Sequence, residues 1–349
     1  MRKTSIVLLI LSAILLIAGS ILCLYASHLS KSTNTPLFDS TTQVREDGAR
    51  VYDFTDQNIS CLKFDVEKVD VQIQPSSDEN SYMELFDFGT GTYDISRSNN
   101  WLTITNESGL SSLYQVLEDQ GNNEDGSSFF GLHLDNFRFR GLRYFFRFSP
   151  APSNARPRIN VYVSAQSSLK IISADLEGGS ITVNQMKLPC DYDIAGTQAN
   201  ITFTGVNTNS KVEIEDAQGN VTLDNSTISA CYLEMGTGNF AADDLCAALF
   251  AGHLKQGDAR VTLRARISDY RRFLRATGGT LSVDGNDKSK RNQQDTGFGY
   301  FQLISDKGNV SITSGQVAAD ENLGVSVDAS QIEQAVSSLN DSLDLSEYE

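Results

Sequence analysis

From residue 169 onward the chain alternates apolar and polar side chains in short runs broken by Gly, Asn and Asp. Leu169-Lys170-Ile171 is followed by Ile181-Thr182-Val183, Tyr192-Asp193-Ile194 and Ile201-Thr202-Phe203. Val212-Glu213-Ile214, Val221-Thr222-Leu223, Cys231-Tyr232-Leu233 and Phe240-Ala241-Ala242 continue the series. Less regular spacing then leads to Val261-Thr262-Leu263, Leu281-Ser282-Val283, Phe301-Gln302-Leu303 and Val310-Ser311-Ile312. A period of 2 predicts strands that send alternate side chains to one face. Paired runs restart in steps of roughly 20 residues, which predicts an all-β solenoid with two short strands per coil. Stacked coils would align the inward Val, Ile, Leu and Phe as one core. The competing architecture, an up-and-down β-barrel, calls for longer strands joined by hairpins.

The first 27 residues have a different pattern. Ile6 to Ala26 carries no charged residue, and Arg2 and Lys3 precede it. At about 1.5 Å per residue such a run spans about 30 Å, so residues 1–27 predict a cytoplasmic tip and a transmembrane helix. The flanking charges place the amino terminus in the cytoplasm and the remainder outside, a single-pass protein held in its own membrane through residues 6–26. A cleaved signal peptide, cut near Ala18-Gly19-Ser20, is the rival. Residues 28–50, rich in Ser and Thr, predict an extracytoplasmic linker.

Residues 51–315 resemble the bacterial putative-adhesin family. The resemblance rests on Ile59-Ser60-Cys61-Leu62-Lys63-Phe64-Asp65-Val66, Val69-Asp70-Val71-Gln72-Ile73 and Trp101-Leu102-Thr103-Ile104. It continues in Ile159-Asn160-Val161-Tyr162-Val163, Leu169-Lys170-Ile171-Ile172-Ser173-Ala174-Asp175 and Leu303-Ile304-Ser305-Asp306-Lys307-Gly308-Asn309-Val310-Ser311-Ile312. The resemblance implies a right-handed parallel β-helix, an adhesive role and no catalytic residues. An insertion at 110–157 departs from the family pattern.

Composition narrows the function. With 44 acidic against 28 basic residues the net charge is −16, which argues against nucleic acid as a partner. Three His and five Cys without CxxC spacing offer no zinc module, and no cofactor is expected. Cys231 and Cys246 would stack about 4.8 Å apart if they opened successive coils, within disulfide reach. Small buried thiols are the other reading. His253 lies near Asp258 and the pair Asp243-Asp244 but has no nucleophile motif beside it, so an enzyme is not expected.

Two basic regions stand out against the acidic background. In the insertion, Phe137-Arg138-Phe139-Arg140 puts Phe on one strand face and Arg on the other. Such a segment caps a solenoid or meets a partner. A second run holds Arg260, Arg264, Arg266, Arg271, Arg272 and Arg275. Guanidinium groups in file suit phosphate or carboxylate polymers, and pairing with acidic neighbours is the structural alternative. The tail 316–349 has eight acidic and no basic residues, and Ile332, Val336, Leu339 and Leu343 recur at helical spacing. It is therefore read as an acidic tail that includes a short helix or stays unfolded.

The sequence thus predicts a non-catalytic, membrane-anchored surface protein of a bacterial envelope. Its expected role is adhesin or scaffold, with an anionic envelope polymer or a membrane protein as partner. Envelope-stress sensing through a partner membrane protein, and carbohydrate chemistry on a β-helix, are the alternatives.

Overall fold

The computed structural model describes residues 42–44, 49–55, 57–86, 93–106, 157–207 and 211–317. The chain divides into two units, Met1–Val44 and Arg45–Glu349. In the first, the described residues form strand β1 (Thr42–Val44). The second unit begins with β2 (Arg50–Asp53), β3 (Cys61–Pro75), β4 (Tyr82–Phe86), β5 (Tyr93–Ser98), β6 (Trp101–Asn106) and β7 (Arg158–Val163). Next come β8 (Ile171–Asn184), β9 (Asp191–Gly196), β10 (Asn200–Thr204), β11 (Lys211–Gln218), β12 (Val221–Asp224), β13 (Thr227–Thr237) and β14 (Phe240–Gln256). The series closes with β15 (Ala259–Leu263), β16 (Tyr270–Ala276), β17 (Leu281–Val283), β18 (Asn286–Lys288), β19 (Arg291–Gln294), β20 (Gly299–Ser305) and β21 (Val310–Thr313). Among the described residues a 3-10 turn, Ile267–Asp269, interrupts them.

Parallel pairing builds two walls. In the first, β7, the second half of β3, the second half of β8, β10, β12, the start of β14, β15, β21 and β17 lie side by side. In the second, the order is β6, the first half of β3, the first half of β8, β9, β11, β13, the rest of β14, β20 and β16. Equivalent positions meet in register: Ile201 pairs with Ile181 and Val221, and Ile214 with Ile194 and Leu233. Antiparallel strands finish the ends, with β5 on β6, β4 on β7, β18 on β17 and β19 on β16.

The pairing corrects the expected solenoid. β8 and β14 run unbroken from one wall into the other, so each pairs on both sides. Seven parallel strands, in the order β8, β9, β11, β13, β14, β12, β10 and back to β8, therefore close a barrel. The local reason lies at the corners. Gly178 and Gly179 of β8 have φ of 81° and 80°, and Asp244 of β14 has φ of 53°, so the chain turns without leaving the ladder. A Cβ at Gly179 would lie 2.1 Å from the Val69 carbonyl oxygen. Isolated two-strand coils are thus not the unit of this fold.

The expected membrane helix and the single-pass placement are corrected as well. Among the described residues no helix is long and apolar enough to cross a membrane. Residues 6–26 lie outside the described residues, as do most of the 28–50 linker, nearly all of the 110–157 insertion and the tail beyond Val317.

The space between the two walls, inside the barrel and beyond β14, is filled by side chains. Tyr192 and Phe203 meet edge to face at 5.2 Å, while Phe250 stacks on Phe240 at 5.4 Å and on Phe301 at 4.7 Å. Ile194, Val212 and Leu233 are buried in the same core. Truncating one such aliphatic side chain costs about 2–5 kcal/mol.

One corner repeats a Gly followed by Asn or Asp: Gly219-Asn220, Gly238-Asn239, Gly257-Asp258 and Gly308-Asn309. The side-chain oxygen of each Asn or Asp accepts the backbone amide of its counterpart in the next layer. Asn220 thereby receives Asn239 at 3.0 Å, and Asp258 receives Asn309 at 2.7 Å. These bonds satisfy corner amides that no strand partner reaches.

Candidate binding face

On the outside of the first wall, register aligns one residue per strand. Gln72, Thr182, Thr202 and Thr222 stand in file, and beyond Ala241 the file continues with Arg260 and Ser311. Strands lie about 4.8 Å apart, so the hydroxyls repeat at that spacing. Each Thr is flanked by fully buried neighbours, as Thr202 is by Ile201 and Phe203, so the backbone beneath it is fixed. A β-branched residue on a strand also has few rotamers. The result is a flat polar surface with preset donors and acceptors, with a guanidinium in the file.

The sequence-predicted arginines do not form one stripe. Arg260 is exposed on the first wall. Arg264 sits at a corner and is tied down: its Nε and Nη2 donate to the Asp244 carboxylate at 3.0 and 2.9 Å, and its Nη1 donates to Thr227 Oγ1 at 2.9 Å. A further bond to Asn225 Oδ1 at 3.3 Å adds a second contact to the layer of Thr227. The hydrogen bond to Asp244 raises its pKa above the ordinary Arg value. Arg266 pairs with Asp269 at 3.1 Å. Arg271 is exposed on the second wall, in file with Tyr300. Arg272 lies on the inward row with Phe301 and donates to Asn292 Oδ1 at 2.8 Å, to the Ile267 carbonyl at 3.1 Å and to the Gln294 side chain. Burial there lowers its pKa. Of the set, Arg264, Arg266 and Arg272 already have protein partners, whereas Arg260 extends the polar file. Phe137, Arg138, Phe139 and Arg140 lie outside the described residues.

Other ionisable groups are structural. Asp216 is 1% exposed, and burial raises its pKa to about 6 against the lowering effect of the Gln218 and Ala199 amides. Its Oδ1 accepts the Gln218 amide at 3.2 Å, while Oδ2 has no partner among the described residues. His253 pairs through Nε2 with Asp306 Oδ2 at 2.9 Å rather than with the Asp residues near it in sequence. Cys61, Cys190, Cys231 and Cys246 are buried. Cys246 lies beside Thr227 and Cys231 beside Phe250, so the two Cys are not stacked. Burial raises the Cys190 thiol to about 12 and pushes Cys231 up as well. Among the described residues no group of His, Cys, Asp or Glu is arranged to hold a metal ion.

The threonine file and the corner ladder are the features the sequence reading passed over. Both leave a signal, a Thr at the centre of every second run from 181 to 223 and a Gly-Asn or Gly-Asp pair at 219, 238, 257 and 308. Asp216 leaves none, because its burial depends on the layers around it.

No protein-family model and no curated protein matches the chain. Three solved structures are similar over 76% of it. A putative cell adhesion protein from Clostridium sporogenes shares 9% identity with a TM-score of 0.32, 98% of that chain being covered. A putative adhesin from Bacteroides fragilis shares 14% identity with a TM-score of 0.41, and one from Parabacteroides merdae 11% with 0.28, each covered over 95% of its length. The similar structures are thus of proteins named for adhesion, at scores too low to transfer a role.

Proposed function

We propose that the chain is a non-catalytic surface-binding protein of the adhesin type, which holds an anionic cell-envelope polymer on the outer face of the first wall. The supporting observation is the file of Thr182, Thr202 and Thr222 leading to exposed Arg260. Hydroxyls at a repeat of about 4.8 Å suit a polymer with many weak contacts, since each bond adds only about 0.5–1.5 kcal/mol and affinity comes from repetition. Arg260 supplies a charge-assisted contact for a phosphate or carboxylate. A rigid surface lowers the ordering cost of binding.

The test is cosedimentation with purified bacterial cell walls, before and after extraction of their anionic polymers. Binding that falls after extraction, weakens with salt and drops several-fold in Arg260→Ala and in Thr182→Val with Thr202→Val supports the proposal. Equal binding by wild type and both variants overturns it.

A further inference from the structure

The file on the outer face of the first wall is broken at one position. Register sets Ala241 of β14 directly between Thr222 of β12 and Arg260 of β15, so a methyl group stands where its neighbours carry longer side chains. Ala241 is exposed, whereas Phe240 and Ala242 beside it are buried in the core. The gap therefore opens to solvent and not into the barrel. Along the file it measures two strand spacings, about 10 Å from the backbone of Thr222 to that of Arg260. Along the chain it runs between exposed Asn239 and exposed Asp243, each about 7 Å from Ala241.

Opposite charges flank this gap without meeting. Arg260 is exposed, and among the described residues no ion pair joins it to a carboxylate, whereas Arg264 and Arg266 close on Asp244 and Asp269. Asp243 lies in register with Asp224, one strand away. Two carboxylates directly opposite each other on neighbouring strands repel. Asp258, near Arg260 in sequence, already accepts the amide and the side-chain Nδ2 of Asn309 at 2.7 and 3.0 Å. The gap is thus lined by a guanidinium on one side and by a pair of carboxylates on another, with the Thr222 hydroxyl beside them.

We propose that Ala241 floors a subsite for a zwitterionic repeat unit of the bound polymer, whose phosphate or carboxylate meets Arg260 and whose primary ammonium enters the gap to meet Asp243 and Asp224. This rests on the reading of the first wall as the binding face, and it names the ligand more closely: a polymer that carries amines as well as anionic groups. Charge decides among the ligand classes. A polymer with anions alone that reaches Arg260 also brings negative charge toward Asp243 and Asp224, which repel it. A neutral polymer covers all three charges and pairs none of them, which costs their hydration. A polycation is repelled by Arg260. A zwitterion pairs both signs at once. The guanidinium fork suits a phosphate or carboxylate bidentately, and an ammonium is a compact point charge with three donors to share between two carboxylates. The missing side chain at Ala241 gives that ammonium room to approach.

The experiment is cosedimentation of the full-length protein with purified bacterial cell walls, untreated or with their amines blocked by acetic anhydride. Blocking should lower wild-type binding at least threefold. Asp243→Asn should bind untreated walls at least threefold more weakly than wild type and should lose nothing more when the amines are blocked, while Asp243→Glu keeps the wild-type response. Ala241→Leu fills the gap and should weaken binding with the unfolding midpoint unchanged. A wild type indifferent to blocking overturns the proposal, and so does an Asp243→Asn variant that loses as much on blocking as wild type does. Where Arg260→Ala and extraction of the anionic polymers still lower binding in those cases, only the subsite fails. Binding indifferent to extraction and to Arg260→Ala instead overturns the reading of the first wall, and the subsite with it.

Discussion

Asn239 accepts the backbone amide of Asp258 on its side-chain Oδ1 at 3.1 Å, while its own amide donates to Asn220 Oδ1 at 3.0 Å. One side chain therefore takes over the amide of the next layer, and its backbone is held by the layer before. The relation recurs from Asn200, which receives the Asn220 amide at 3.3 Å, to Asn309, which receives that of Thr280 at 2.9 Å. Removing any rung leaves an amide without its partner at a tight corner.

Asn239→Ala should lower stability by about 1–2 kcal/mol, the cost of an unmet amide less what water recovers. Asn239→Asp keeps the acceptor and should cost less. Urea denaturation of the two variants beside wild type checks the ranking.

Gly238 precedes that rung with φ of 150°, and a Cβ there would lie 1.6 Å from the Gly219 carbonyl oxygen. Gly238→Ala should destabilise far more than Asn239→Ala, because backbone rather than a flexible side chain must move. A loss of under about 1 kcal/mol in the same denaturation series would show that the layers separate easily.

Asp216 sets a pH dependence with a definite sign. Its folded pKa of about 6 lies above the ordinary carboxylate value, so the folded state binds the extra proton. Its contribution is most favourable below about pH 4, falls as pH rises to about 6 and is flat beyond. Asp216→Asn should remove that slope and raise stability at neutral pH by on the order of 1–3 kcal/mol. Thermal unfolding of both proteins from pH 4 to 8 measures the difference.

Arg264 and Arg260 should separate by readout. Arg264→Ala removes bonds to Asp244, Thr227 and Asn225 and should destabilise by about 1–3 kcal/mol. Arg260→Ala should leave the unfolding midpoint within about 0.5 kcal/mol of wild type and lower only cell-wall binding. Denaturation and cosedimentation on the same preparations distinguish the two roles.

The buried thiols should be inert. With Cys190 raised to about 12 and Cys231 also raised, both by burial, alkylation at pH 8 should label neither until the protein unfolds. Fast labelling of either in the native protein would contradict the packing.

Much of the strand pattern was legible in the residues. The alternation at Ile201-Thr202-Phe203 and Val221-Thr222-Leu223 identified which side chains point inward, because a strand allows only two faces. Corner positions were legible as Gly, Asn and Asp, though the ladder they form was not, since its rungs join residues 19, 20, 29 or 51 apart. The arginine run misled for a related reason. Sequence neighbours Arg260, Arg264 and Arg271 turn a corner and end on different surfaces.

Alternation, residue size and the repeat length thus determined that short strands would pair in parallel around a shared apolar interior, since these follow from backbone geometry and the exclusion of apolar groups from water. Tertiary structure alone decided that β8 and β14 pass their corners unbroken and close a seven-stranded barrel. It also decided that Asp216 is buried and that Arg264 is bound. These depend on which distant layer arrives beside each residue, and a local pattern holds no record of that.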